Sequence, residues 1–138
     1  MNEAAAQKIT SIQRCVSRAR EIHRDAGDAF KSSYTHQDAA ALNIIRACDT
    51  SIDLANMLIR SRRLGIPTES KESFEILARE ALIGPDLLAR MKAMVGFRNL
   101  AVHQYRELDL NIVEAILRKD LDDLLAFAET MRPLLDRA

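Results

Sequence analysis

Cysteine, glycine, proline and aromatic residues are all scarce in this 138-residue chain, and neither sign of charge prevails. The two cysteines, Cys15 and Cys48, have no CxxC spacing and no secretory signal around them, so they read as reduced, partly buried thiols rather than a disulfide framework. Four glycines and three prolines exclude collagen-like and low-complexity classes. Aromatics make up 4% of the chain and tryptophan is absent, which leaves no stacking tract for reading bases. Twenty Lys and Arg balance twenty Asp and Glu, so the total gives no support to a broad electrostatic grip on nucleic acid and any such site must be local. No apolar run approaches the ~18 residues that span a bilayer, and the N-terminus lacks a charged region followed by an apolar one. The expectation is a cytoplasmic protein with no membrane segment.

What is present is helix-forming sequence, 48% hydrophobic and 29% charged, without the β-branched and aromatic runs that specify strands. Residues 1–138 are expected to form one domain around one core. Ile9, Ile12, Val16, Ala19 and Ile22 form the 3.6-residue stripe of a first helix beginning at Glu3. After a polar break at Ser32 to Thr35, a second helix is expected from Gln37 to about Arg63, stopped by Gly65 and Pro67. Ser70 is expected to cap a short third helix with Phe74, Leu77, Ala78 and Ala81 inward, ended by Gly84-Pro85. Asp86 then caps a fourth helix carrying Leu87, Leu88, Met91, Met94 and Val95, and Asp109 caps a fifth. That fifth helix carries Ile112, Val113, Ile116, Leu117, Leu121, Leu124, Leu125 and Phe127, and Pro133 marks its frayed end. The fold class is all-α, an antiparallel up-and-down bundle of about five helices.

Chemistry concentrates in Arg98-Asn99-Leu100-Ala101-Val102-His103-Gln104-Tyr105. Steps of three and four from Met91 pass Met94 and Val95 and reach Arg98, Val102 and Tyr105, which places the arginine and the tyrosine on the inward stripe. A buried unpaired charge is costly, so Arg98 needs an anion or a wet cleft, and Asp49 and Asp53 on the second helix are the candidate partners. His103 is five residues after Arg98, about 140° around an ideal helix, and aligns instead with Asn99. Either the helix ends or bends inside the motif, or two copies of the chain meet so that both pairs line one cleft.

Arginine suits a phosphate, histidine carries protons either way near neutral pH, and tyrosine offers a hydroxyl beside them. Ribonuclease chemistry needs a 2′-hydroxyl deprotonated, a phosphorane neutralised and a leaving oxygen protonated; His103 fits the proton transfers and Arg98 the equatorial oxygens. Asn99 suits a supporting role, orienting the histidine or binding phosphate. No metal is implied, since His23 and His36 lie far off without HxxxH or carboxylate spacing. Basic residues also cluster at Arg14, Arg18, Arg20 and Arg24 and at Arg60, Arg62 and Arg63, where a solvated helical face and a helix C-terminus are the simpler readings.

The spacing Arg-x4-His-x-Tyr resembles the signature of the HepT-like toxins of the HEPN superfamily. The likeness extends along the chain: Ala47 to Asn56 is similar to their second-helix signature, Ser73 to Ala78 to their short third helix, Met94 to Asn99 to the lead into the motif, and Leu121 to Leu124 to their closing helix. Two positions depart from the usual pattern, Met57 in place of a histidine and Gln104 in place of an acidic residue. The resemblance implies a homodimeric, metal-independent endoribonuclease without a cofactor, with Arg98 and His103 as its catalytic pair at a cleft between subunits. Asp53, as a candidate partner of Arg98, is expected in a supporting role, and a surface carboxylate with no role is the equally open alternative. The resemblance also implies a partner, a minimal nucleotidyltransferase antitoxin using ATP and magnesium, that silences the toxin by transferring AMP to Tyr105. Another reading from a different class remains open, a non-catalytic helical subunit that binds nucleotide or presents substrate to a separate nucleotidyltransferase. A purely structural dimer module would leave the motif buried.

Overall fold

A computed structural model describes residues 2–136. Helix α1 (Glu3–Ala26) opens on Asn2, whose side chain accepts from the amides of Ala4 and Ala5. It buries Ala5, Ile9, Ile12, Val16, Ala19 and Ile22, the stripe expected from the sequence. Gly27, at φ 55°, turns the chain into a 3₁₀ segment, Gly27–Ser32, that buries Phe30.

Helix α2 (Tyr34–Arg62) starts three residues before the expected Gln37, because the Ser33 hydroxyl accepts the free amide of His36. Arg63 closes it in the left-handed region, at φ 53° and ψ 50°. Helix α3 (Ser70–Arg79) takes Ser70 as its first helical residue and not as its cap; Thr68 instead donates to Glu72 from both its amide and its hydroxyl. This helix stops earlier than Gly84, since Ala81 turns left-handed at φ 58° and Leu82 N donates to Leu77 O. Ala81 is therefore exposed and not in the core.

Helix α4 (Pro85–His103) begins with Pro85 at the position where a missing amide costs nothing, so Gly84 occupies the cap and Asp86 lies in the first turn. The expected fifth helix forms behind Asp109, whose carboxylate accepts from Asn111 N at 2.8 Å. It comes in three pieces: α5 (Leu110–Ala115), a π-helical turn at Ile116–Asp120, and α6 (Leu121–Leu135). Along these pieces Ile112, in the first turn of α5, is exposed while Val113, Ile116, Leu117, Leu121 and Leu124 are buried. Pro133 does not fray α6, which continues to the buried Leu135.

The result is the antiparallel all-helical bundle expected from periodicity. Helices α1 and α2 form its most extensive pair, α6 packs against both, and α3 and α4 close the far side of α2. Phe74 of α3 and Phe127 of α6 meet edge to face at 5.1 Å in the centre. Among the described residues no helix is long and apolar enough to cross a membrane.

Candidate active site at the end of α4

Helix α4 buries Met91, Met94, Val95, Phe97 and Ala101 and packs against α2, α3 and α6. Cys48 of α2 directs its thiol at the Met94 carbonyl, 3.8 Å away, and burial together with the neighbouring Asp49 pushes that thiol up to about 12. Cys48 is thus an inert anchor between the two helices. Beside it Arg98 emerges at the edge of the contact, where its Nε donates to Asp49 Oδ1 at 2.7 Å and its Nη1 to Asn99 Oδ1 at 3.3 Å. The guanidinium side chain is 28% exposed and the Asp49 side chain 45%, so Arg98 is aimed by a carboxylate while one side stays open to a ligand.

Of the two carboxylates considered as partners, Asp49 makes the contact. Asp53 lies one turn further along α2, is 60% exposed and faces Lys8 of α1 at 3.7 Å. Its position gives no support to a role beside Arg98.

The inward stripe of α4 also differs from expectation. Phe97 and Ala101 carry it, whereas Val102 is 45% exposed and Tyr105 lies beyond the helix. The helix ends at His103, and Gln104, with its amide bonded to Leu100 O at 2.8 Å, leads into a 3₁₀ turn at Tyr105–Glu107. A helix end inside the motif was one of the two solutions considered, but it displaces only the tyrosine. Arg98 and His103 remain on one regular helix, about 7.5 Å apart along its axis and about 140° apart around it. His103 is exposed, and its side chain makes no hydrogen bond or ion pair among the described residues.

The displaced Tyr105 folds back toward the start of α2. Its hydroxyl donates a hydrogen bond to Asp38 Oδ1, and the residue is 40% exposed. Partial burial, the acceptor carboxylate and its negative charge all hold the phenol well above its ordinary range. Tyr105 and Asp38 line a surface pocket of about 520 Å³ with Tyr34, Ala41, Arg106 and Val113. The sequence reading missed Asp38, yet a signal exists: Asp38 and Asp49 are eleven residues apart, three helical turns, and so share one face of α2. Leu42, on that face between them, is 45% exposed, and with Val102 and Leu100 it leaves apolar surface uncovered beside the motif.

The remaining polar candidates serve the fold. His23 Nε2 donates to Glu114 Oε2 at 2.8 Å, and Arg118 and Lys31 lie on the same buried carboxylate. His36 lies against Ser33. From the basic clusters, Arg18 pairs with Glu21, Arg20 with Asp122, and Arg62 donates to Leu134 O.

Comparison with known proteins agrees along nearly the whole chain. The family model described as "Ribonuclease HepT-like" matches residues 12–131. An mRNA nuclease HepT from Shewanella oneidensis is 41% identical over 132 residues, 96% of this chain and 98% of that protein. The crystal structure of a toxin-antitoxin with AMP-PNP superposes at a TM-score of 0.91, with 39% identity over 96% of this chain and 99% of that one. A tri-AMPylated HEPN toxin of Shewanella oneidensis in complex with an MNT antitoxin matches at the same TM-score, with 40% identity over 96% and 99% of the two chains.

Proposed function

This chain belongs to the HepT-like ribonuclease family, and on that premise we propose that it is the toxin of a toxin-antitoxin pair, an mRNA endonuclease acting in the cytoplasm as a homodimer. Arg98 and His103 are its catalytic pair. His103 takes the proton of the ribose 2′-hydroxyl, the oxygen attacks phosphorus in line, and Arg98 neutralises the equatorial oxygens of the phosphorane. Proton return to the departing 5′-oxygen completes the cut and leaves a 2′,3′-cyclic phosphate. Asn99, bonded to the guanidinium, shares in setting its direction.

The observation that carries this reading is the contrast between the two residues: Arg98 is aimed by Asp49, whereas the His103 side chain, on another face of the same helix, has no partner among the described residues. One chain leaves the pair divided. A twofold partner packed on the uncovered Leu42, Leu100 and Val102 would bring Arg98 and His103 from both copies to one cleft. Silencing follows from the neighbour in sequence. A minimal nucleotidyltransferase antitoxin transfers AMP to Tyr105, and the added bulk and negative charge beside the cationic site repel RNA.

Expression in bacteria tests the whole reading. Growth should stop with the wild-type chain and resume with Arg98→Ala or His103→Ala at equal protein levels. Toxicity unchanged in both variants refutes the catalytic pair. AMP uptake that persists in Tyr105→Phe refutes the acceptor.

A further inference from the structure

The bond between Tyr105 and Asp38 joins the turn after α4 to the first turns of α2, sixty-seven residues earlier, and nothing in RNA cleavage requires it. The phenol hydrogen points at a carboxylate that has no other polar partner among the described residues. Both groups open onto the 520 Å³ pocket, so the oxygen is reachable by an incoming nucleotide, and Arg106 supplies a cation on the same wall. A phenol is a poor nucleophile until its proton leaves, and a carboxylate within hydrogen-bond reach is the simplest group to receive it.

We propose that Asp38 is the proton acceptor for Tyr105 during adenylylation, so that the toxin supplies a catalytic group to its own inactivation. This rests on Tyr105 being the AMP acceptor. In the step, the Tyr105 oxygen forms a bond to the α-phosphorus of ATP, the bond from that phosphorus to the β-phosphate oxygen breaks, and pyrophosphate departs with the electron pair. The phenol proton passes to Asp38 and then to water. Arg106, with the magnesium carried by the triphosphate, offsets the repulsion between Asp38 and the incoming phosphates.

A purely structural Asp38 predicts the opposite sign. Removing a staple would free the phenol and let its ionisation relax toward the ordinary value of about 10, which makes phenolate more available. A lost base slows the reaction instead, by about 10²-fold or more, and ties the remaining rate to hydroxide.

The test measures AMP transfer from ATP by the cognate nucleotidyltransferase into the full-length wild-type chain, Asp38→Asn, Asp38→Glu and Tyr105→Phe, across pH 6.5 to 9, with circular dichroism confirming the fold. Expected are a loss of about 100-fold in Asp38→Asn at neutral pH and a climb of about tenfold per pH unit that the wild type lacks. Asp38→Asn modified at or above the wild-type rate with an unchanged profile overturns the proposal. Should Asp38→Asn fail to fold, Asp38→Glu decides: it keeps a carboxylate and must keep the wild-type profile, and a hydroxide-dependent climb there overturns the proposal. Continued labelling of Tyr105→Phe would instead sink the acceptor assignment, a separate outcome.

Discussion

Replacing Arg98 by alanine separates a catalytic arginine from a structural one, because the two roles differ in size. The Arg98–Asp49 pair is short, at 2.7 Å, but both side chains are partly exposed. Such a pair contributes about 1 kcal/mol or less once solvent screening is allowed for. Against a total stability on the order of 5–15 kcal/mol, that loss leaves more than ~99% of the protein folded and lowers the melting temperature by roughly 2–6 °C. Removing a preorganised cation from a phosphorane costs about 3 kcal/mol or more in the barrier, at least ~100-fold in rate. Unfolding therefore cannot account for the rate loss. The assay is single-turnover cleavage of a messenger RNA, paired with thermal melts of Arg98→Ala and Asp49→Ala. Both variants should melt a few degrees early. Arg98→Ala should lose at least ~100-fold in rate and Asp49→Ala about tenfold, since a guanidinium without its carboxylate is present but no longer aimed. Equal rate losses in the two variants, or cleavage by Arg98→Ala within threefold of wild type, would refute the argument.

Three further outcomes follow from the geometry. Val102→Glu or Leu42→Glu, which place a charge on the uncovered apolar surface, should convert a sedimenting dimer to a monomer and abolish cleavage; a wild-type monomer that cuts RNA contradicts the shared cleft. In Tyr34→Phe, which leaves Tyr105 as the sole tyrosine, the ultraviolet phenolate titration should have a midpoint above the ordinary value of about 10, and adding Asp38→Asn should lower it. Because the folded chain holds that proton longer, stability from this group is complete below the ordinary phenol range and falls as pH rises through the raised value. Glu114 has the reverse sign: the hydrogen bond from His23, with the charges of Arg118, His23 and Lys31, outweighs burial and holds its carboxyl below the usual carboxylate range. Its contribution is present above the ordinary carboxylate range and is lost as pH falls through the depressed value, so Glu114→Gln should flatten the acid limb of a urea-midpoint profile. An acid limb of unchanged slope would show that the carboxylate is uncoupled from the fold.

The bundle was legible because α1 and α6 bury stripes at helical spacing, and that spacing survives any tertiary arrangement; α2, apolar on more than one face, buries Ile44, Cys48, Ala55 and Leu58 while Leu42 is exposed and Ile45 and Ile52 are half-buried, a choice made by packing. Helix starts were less so. Ser33, Ser70 and Asp86 all have capping side chains, yet only Ser33 caps, since Pro85 already defines the start of α4 and the Thr68–Glu72 pair defines that of α3. The π-turn at Ile116–Asp120 leaves no mark in the residues, because it is a choice of hydrogen-bond partner made by packing. Within the site, the need for an anion beside Arg98 was readable. The choice of Asp49 over Asp53 depends on how far α4 slides along α2, which periodicity does not fix. Tyr105 was misplaced because helical spacing was carried past the point where the helix stops, and its partner Asp38 was hidden with it.

Cleavage by the purified chain alone, in EDTA, bears most directly on the claim that Arg98 and His103 perform metal-independent phosphoryl transfer. The account predicts that messenger RNA is cut without its partner or any divalent ion, leaving 2′,3′-cyclic phosphate ends, and that His103→Ala leaves the RNA intact. Intact RNA with the wild-type chain, or cutting that returns only when a divalent metal is restored, would contradict it.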